Sequence, residues 1–450
     1  MPSDVTYDRR LGPFSGTMLV VGGIIGSGIF LNPAVVAQRV GTPTLTLLAW
    51  SLGAVIAILG AFIFAELGAR APAAGGGYAY LRDAFGRLPA FLYGWALLLA
   101  IASGATAAVA VTFANYTVPL VGLSAGSERR LAIAAISAFS LINVLGVAPG
   151  AWVQNAFTLL KLAAIAGLIV AGLAFGADAG PADVAAATLA APRGFFPIGV
   201  ALGTALVPVL FSYGGWQQTN FVAEEMVEPT RNLPRALIIG VLIVAAVYLL
   251  VNVTYLQTLG VEGLARSTAP AADAMEARFG ATGRALIGAG IAISTAGFLN
   301  VVILVTPRVY QAMARDGLFF RSLARLHPKT RTPVAAIVLQ GGWSIVLVLS
   351  GTYGELLDWV TFADWIFFGA TAATLLVYRA RSVNEGATHF RAPWHPWSTG
   401  LFLLASAYVV IGAIISNPGN ALRGALVLAA GVPVFLRWRR TADTQGRDAA

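Results

Sequence analysis

Long apolar runs with few charges recur along the whole chain. A helix needs about 20 mostly apolar residues to cross the hydrocarbon core of a bilayer, and twelve runs are of about that length or longer. They cover residues 14–37, 44–65, 89–122, 131–149, 152–176, 197–223, 236–259, 285–307, 333–351, 356–378, 398–416 and 421–437. The pattern predicts an all-α polytopic membrane protein with twelve transmembrane helices.

The composition agrees with this pattern. Of 450 residues, 58% are hydrophobic and 11% are charged, against roughly 25% charged in soluble domains, which excludes an ordinary water-soluble enzyme. The first run lacks an A-x-A cleavage site and continues into further spans, so we expect it in the mature protein. The chain has no cysteine, which excludes disulfides, thiolate metal sites and cysteine nucleophiles.

The positive charge follows the predicted topology. Lys and Arg number 29 against 20 Asp and Glu. With the N-terminus inside, the cytoplasmic loops and tails hold 20 Lys and Arg, and the opposite side holds eight. This bias predicts a multi-pass protein of the cytoplasmic (inner) membrane with both termini in the cytoplasm. The expected partner is therefore the lipid bilayer, and we expect no nucleic acid.

Two predicted spans contain glycine-rich interruptions. The first span carries GIIGSGIF at 23–30, and the sixth carries FSYGGW at 211–216, just after Pro208. Close helix packing through Gly22 and Gly26 is an alternative explanation for the first run. The two runs head consecutive sets of five spans, and an odd number of spans inverts the second set. That arrangement is typical of inverted-repeat transporters, whose broken helices hold the substrate.

A broken helix leaves backbone groups without partners at mid-membrane. The amides around Ser27 and Gly28, at the positive end of a half-helix dipole, suit a carboxylate. The carbonyls expected to bind an ammonium group are those of Ile24, Ile25, Phe211 and Ser212. Both charges together describe an amino acid zwitterion. Phe211 and Trp216 offer aromatic walls to its side chain.

At these residues the chain resembles the amino acid–polyamine–organocation superfamily, and within it the L-type amino acid transporters with their bacterial relatives. The shared runs are GIIGSGIF, APAAGGGYAYLRDAFG at 71–86, FSYGGWQQTNFVAEEMVEPTRNLPRAL at 211–237, and the stretch from Arg308 to HPKTRTP at 327–333. The resemblance implies a LeuT-like fold, with a 5+5 inverted repeat plus two C-terminal helices. It also implies sodium-independent transport of neutral amino acids, often by obligatory exchange.

The resemblance also implies roles for particular residues. It places Gly26, Ser27 and Gly28 at the substrate carboxylate, and Phe211, Ser212 and Gly214 at the amino group and the gate, which Phe211 shares with Trp216. Animal members of the L-type branch are joined by a disulfide to a single-span heavy chain. A chain without cysteine cannot form that bond, so we expect a monomer.

The predicted repeats divide the chain into six parts. They are a cytoplasmic tail at 1–13, a first five-helix repeat at 14–176, an extracellular loop at 177–196, a second repeat at 197–379, helices 11 and 12 at 380–438, and a cytoplasmic tail at 439–450. The sequence has no phosphate-binding loop, no H-E-x-x-H and no G-x-S-x-G motif. We therefore expect no enzyme, no catalytic residue, no cofactor and no metal ion.

Two charges fall within predicted spans. Lys161 lies about ten residues into the fifth span, where a charge costs about 2.5–3.5 kcal/mol, so we expect it to face the bundle. The resemblance implies a fixed cation that replaces sodium and braces the first helix; the other two possible roles are a proton carrier and a structural tether to carbonyls. Asp364, in the tenth span, either lines the pocket or lies at the outer interface.

Several alternatives stay open. A proton-coupled symporter would use Lys161, whereas a polyamine or cationic amino acid antiporter would need a carboxylate such as Asp364. A sensor or channel on the same fold is a remote alternative. At the cytoplasmic ends of their spans, Glu66, Glu224 and Glu225 either pair with Arg231 or Arg235 to close an inner gate or form a solvated cluster.

Overall fold

The computed structural model describes residues 5–124, 126–174, 194–351, 353–384, 386, 390–416 and 418–447. Most of these residues are helical. The α-helices are α1 (Pro13–Ile24), α2 (Gly28–Val40), α3 (Pro43–Arg70), α4 (Gly77–Phe85), α5 (Arg87–Ala96), α6 (Ala102–Leu120), α7 (Glu128–Val144), α8 (Val147–Ala174), α9 (Phe195–Tyr213), α10 (Pro229–Arg266), α11 (Pro270–Val305), α12 (Pro307–Arg315), α13 (Val334–Ser350), α14 (Tyr353–Ala380), α15 (Trp397–Ser416) and α16 (Pro418–Arg447). Most of the predicted extracellular loop at 177–196 lies outside the described residues.

Three shorter segments complete the description. Leu97–Ile101 is a π-helical turn that joins α5 to α6, while Trp216–Glu225 and Arg321–Ala324 are 3₁₀ helices. The first of these 3₁₀ helices continues the path of α9 after a two-residue break. An isolated β-bridge joins Leu11 to Met226.

The described helices make this a multi-pass membrane protein. By length and composition, eight spans are apolar enough to cross a bilayer, and α1 with α2, bent by 44°, would make a ninth. α7 and α13 have only 17 residues each. The all-helical membrane class is therefore confirmed. The count of twelve spans stays a prediction.

Several helices extend beyond the apolar runs that announce them. α10 begins at Pro229, ahead of the run at 236–259, and is interrupted by a kink at Gly260, where that run ends, whereas α16 continues to Arg447 through much of the predicted tail at 439–450. Hydrophobicity marks only the part of a helix that suits lipid. A helix continues into polar residues wherever backbone hydrogen bonding is maintained.

The packing brings the two interrupted helices together. α1 lies against α8 and α10, α2 lies against α9, and α10 also covers α3. α11 packs along α6 and α8, and α14 packs against α3, α6, α15 and the π-helical turn. The breaks are thus enclosed by helices from both halves of the chain.

Candidate substrate-binding site

The backbones of the two breaks are in direct contact. α1 ends at Ile24 and α2 begins at Gly28, whereas α9 ends at Tyr213 and is followed by Gly214 and Gly215. Gly215 has φ +112, and a Cβ there would lie 2.1 Å from the carbonyl oxygen of Gly23. Only glycine, which has no Cβ and tolerates positive φ, fits this crossing.

A second close approach between the breaks lies at the first residue of α2. A Cβ on Gly28 would lie 2.7 Å from the Ser212 hydroxyl oxygen. The Asn32 amide donates to that same hydroxyl at 2.8 Å and to the Pro208 carbonyl at 3.0 Å. Side-chain hydrogen bonds therefore join α2 and α9 beside their backbone contact.

Pro208, before the second break, leaves one backbone carbonyl of α9 without its usual helical donor. Because Pro208 has no N–H, it cannot bond the Thr204 carbonyl one turn earlier. The Arg39 guanidinium of α2 donates to that carbonyl instead. The freed backbone group in α9 thus becomes another link to α2.

Lys161 and Tyr248 satisfy the carbonyls at the end of α1. The Lys161 ammonium donates to the carbonyls of Gly22, at 3.2 Å, and Ile25, at 2.7 Å. The Tyr248 hydroxyl lies 3.2 Å from the Ile24 carbonyl and 3.1 Å from the Ser212 carbonyl. Because the C-terminal end of a helix carries partial negative charge, a cation there is stabilising.

Lys161 is fully buried and faces the interior of the bundle. It lies against α11, where a Cβ on Gly297 would be 3.3 Å from its Cε. Close packing also explains Gly22, since a Cβ there would lie 2.0 Å from the Gln154 side chain of α8. The first interruption therefore combines a broken helix with the alternative of close helix packing.

A cavity of about 290 Å³ lies beside the two breaks. The predicted site residues that line it are Ile24, Gly26, Ser27, Gly28, Phe211, Ser212, Gly214 and Asp364. Phe211 is 41% exposed, and Asp364 belongs to the cavity lining rather than only to an outer interface. Ala102 and Ala105 of α6 also contribute to the wall.

Trp216 and Ile25 do not line this cavity. The turn at Gly214 and Gly215 directs Trp216 into the packed interior, where its ring lies 4.9 Å from that of Phe64 and it is 2% exposed. The Ile25 carbonyl accepts bonds from Lys161 and from the Ser294 hydroxyl at 3.3 Å. Neither residue is placed to contact a molecule in the cavity.

The backbone amides at the start of α2 are the clearest binding groups. In the described part of the chain, the N–H groups of Ser27, Gly28 and Ile29 have no hydrogen-bond acceptor, as expected at a helix N-terminus. An anion is the natural ligand for such amides. Ser27 and Gly28 line the cavity, so a carboxylate there would satisfy their amides.

The expected ammonium acceptors differ between the two breaks. The Ile24 carbonyl accepts from the Gly26 amide at 2.9 Å, and the Phe211 carbonyl accepts from the Gly214 amide. The Tyr248 hydroxyl has one proton, which it can donate to the Ile24 or to the Ser212 carbonyl but not to both. Since a carbonyl oxygen has two lone pairs, the Phe211 and Ser212 carbonyls keep accepting capacity for an ammonium group, whereas the Ile24 carbonyl keeps it only when Tyr248 donates to Ser212.

Several cavity residues were not predicted from the sequence, and three of them illustrate why. Asn32, Gln217 and Phe298 all line the cavity. Asn32 follows GIIGSGIF closely, and a polar side chain one turn into the second half-helix is a signal that was available. Phe298 has no such signal, because nothing in its mostly apolar span distinguishes it from the residues that face other helices.

The end of the bundle that holds the N-terminal segment carries buried ion pairs. Arg308 binds Glu225 through two bonds of 2.7 and 3.1 Å, and Glu66 binds both Arg70 and Arg379. The extended N-terminal segment joins this end, since the amides of residues 10 and 11 both donate to the Glu225 carbonyl at 2.9 Å. This end is closed by side chains and backbone together.

Of the two alternatives for these glutamates, pairing with Arg231 or Arg235 is not found, and Glu66 and Glu225 are buried rather than solvated. Arg231 lies near Glu228 at 4.0 Å with a largely exposed side chain, and Arg235 is also exposed. Glu224 pairs with Arg315 at 3.4 Å. Arg231 and Arg235 point outward from α10. The arginines that reach the glutamates come from α12, α14 and α3.

Comparison with known proteins agrees with this geometry. Residues 11–435 match the amino acid permease family. The chain belongs to the amino acid permease family. It is 33% identical to the human b(0,+)-type amino acid transporter 1, over 93% of this chain and 85% of the relative. It is 30% identical to the mouse large neutral amino acids transporter small subunit 2 and to the mouse Asc-type amino acid transporter 1, each over 96% of this chain and 81% of the relative.

Family membership confirms several of the predictions. The resemblance to L-type permeases is confirmed, and this permease is a membrane transporter of amino acids rather than an enzyme. Having no cysteine, it cannot form a disulfide with a partner subunit. Among the described residues, no group of three His, Cys, Asp or Glu side chains is arranged to hold a metal ion.

Proposed function

We propose that this permease is a sodium-independent exchanger of neutral amino acids in the cytoplasmic membrane, working by alternating access with twelve spans, a LeuT-like inverted repeat and both termini inside. The observation that carries the proposal is the cavity between the breaks. There, unpaired amides of α2 lie beside α9 carbonyls that can each accept another hydrogen bond. The amides bind the substrate carboxylate and the carbonyls bind its ammonium group. An amino acid zwitterion satisfies both sets at once.

Sodium independence follows from the position of Lys161. A bound sodium ion needs oxygen ligands, and backbone carbonyls at a broken helix are the usual source. The Lys161 ammonium already bonds two such carbonyls at the end of α1. The protein therefore supplies the positive charge itself, and no metal ion is needed to hold the break.

Exchange follows from the cost of closing an unloaded cavity. Each buried amide without an acceptor costs about 1–3 kcal/mol, so the two amides of Ser27 and Gly28 that line the cavity together cost about 2–6 kcal/mol. Water satisfies these groups while the cavity is open. Once water is excluded, a substrate carboxylate removes the cost, so the loaded carrier changes sides much faster than the unloaded one.

The test is counterflow in proteoliposomes. Radiolabelled alanine should enter vesicles preloaded with unlabelled amino acid, at the same rate in sodium and in choline buffer, and should not accumulate in vesicles without internal amino acid. A panel of twenty competitors defines the accepted side chains. Accumulation in amino-acid-free vesicles driven by a pH gradient, and abolished by Lys161→Ala, would replace exchange with proton symport.

A further inference from the structure

Asp364 is the only ionisable side chain among the described residues that line the cavity. The remaining lining consists of the backbone of the breaks, apolar and aromatic side chains, and a few neutral hydroxyl and amide groups. A pocket for neutral amino acids needs no carboxylate of its own. The backbone already provides acceptors for the α-ammonium group and donors for the α-carboxylate.

This carboxylate has no partner within the described structure. No Lys, Arg or His forms an ion pair with Asp364, and no hydrogen bond to it is found there. The fully buried carboxylates differ, since Glu66 and Glu225 are each bound by arginine. Asp364 is half-buried and lines the cavity, so a cation in the cavity can reach its carboxylate.

Asp364 also lies on a different wall from the backbone groups of the breaks. It belongs to α14, which packs against α6 and the π-helical turn, whereas the unpaired backbone groups belong to α2 and α9. Phe368 is one helical turn away on the same face of α14, and it lines the cavity too. Aromatic faces beside a carboxylate suit a long side chain that ends in a cation.

We propose that Asp364 binds the cationic end of a substrate side chain, so the cavity accepts amino acids such as arginine and lysine in addition to neutral ones. The inference rests on the proposed function, in which the breaks hold the α-carboxylate and α-ammonium groups. The side chain then extends from the breaks toward α14. Its ammonium or guanidinium group takes the place of the partner that Asp364 lacks among the described residues.

The test compares arginine with citrulline, which has nearly the same shape and no side-chain charge. Each is used as a competitor of radiolabelled alanine counterflow in proteoliposomes containing the wild-type protein. Arginine should inhibit at a concentration at least about tenfold lower than citrulline, which corresponds to about 1.4 kcal/mol. In Asp364→Asn the ratio of the two inhibitory concentrations should fall toward one.

Glu262→Gln is the matched control, because it removes a carboxylate whose partner is Arg266 and which lies outside the cavity. It should keep the wild-type ratio. Equal inhibition by arginine and citrulline in the wild-type protein would overturn the inference, and that arm needs no variant to fold. A loss of both competitors in Asp364→Asn with an unchanged ratio would assign Asp364 to the α-ammonium group and also overturn it.

Failure of the proposed function gives a different result. In that case neither alanine nor any other amino acid exchanges in the wild-type protein, and no ratio exists to be measured. If alanine exchanges and the ratio is one, the exchanger stands and the role of Asp364 falls. A diamine such as putrescine that competes better than arginine would overturn the inference as well, because it has no carboxylate for the amides of α2.

Discussion

Replacement of Gly215 by alanine is a severe perturbation of the contact between the breaks. The added Cβ would lie 2.1 Å from the carbonyl oxygen of Gly23, so the two backbones must separate by about 1.3 Å to reach an ordinary contact of 3.4 Å. The positive φ adds about 1–2 kcal/mol of strain for any residue with a Cβ. Since a misplacement of about 1 Å in a reacting site costs about a hundredfold, we expect a comparable loss of alanine counterflow.

Gly260→Ala is the control for backbone strain. Gly260 also has positive φ, +67, but nothing lies within 4 Å of its Cβ position. It should lose some thermal stability and keep most of its counterflow. Counterflow is measured per milligram of protein in the vesicles, with the melting temperature measured in parallel. If Gly215→Ala transports as fast as Gly260→Ala, the two breaks are not held in contact during transport, and the site is wrongly placed.

Three further substitutions test the contacts that hold the site. Lys161→Met removes the ammonium from the end of α1 and leaves the Gly22 carbonyl unpaired, so counterflow should fall at least about tenfold; wild-type rates would contradict the bracing role. Tyr248→Phe deletes one hydroxyl that joins the breaks, worth about 1 kcal/mol, and should slow counterflow less than Lys161→Met. Arg308→Ala leaves Glu225 buried without its partner and should destabilise the protein by about 3–5 kcal/mol, which is measured as a lower melting temperature. The double variant Glu225→Gln with Arg308→Met should recover most of the lost stability. No recovery in the double variant would refute the pairing.

The sequence predicted the breaks because glycine has a specific local cost. The glycines of GIIGSGIF disfavour helix within a span that otherwise favours it. In the structure, α1 ends and α2 begins within that run. The second break follows from the same reasoning, with Gly214 and Gly215 after α9. These features are local, so no knowledge of neighbouring helices was needed.

The contacts between helices were harder to predict. The Ile25 carbonyl was expected to bind substrate, but Lys161 and Ser294 from two other helices already occupy it. Tyr248 was missed because an apolar span gives no indication of which face meets the breaks. Arg308 was missed as a partner of Glu225 because residues 83 positions apart meet only through the packing of the fold.

Trp216 shows how a turn alters an otherwise reasonable expectation. An aromatic residue beside a glycine pair was expected to wall the substrate, together with Phe211. The αL conformation of Gly215 rotates the chain, so Trp216 packs among Phe64, Phe368 and Phe402 instead. The direction that the chain takes after a glycine with positive φ depends on the backbone geometry, which the sequence pattern does not specify.

Hydrogen–deuterium exchange of the backbone tests the central claim most directly. The purified protein is labelled with and without saturating alanine, and peptides covering residues 24–31 and 208–217 are followed with the rest of the chain as reference. The substrate carboxylate should slow exchange at the amides of Ser27 and Gly28, with the break after α9 also protected. Unchanged exchange in both segments, while the same preparation still transports alanine, would contradict the assignment of the broken helices as the substrate site.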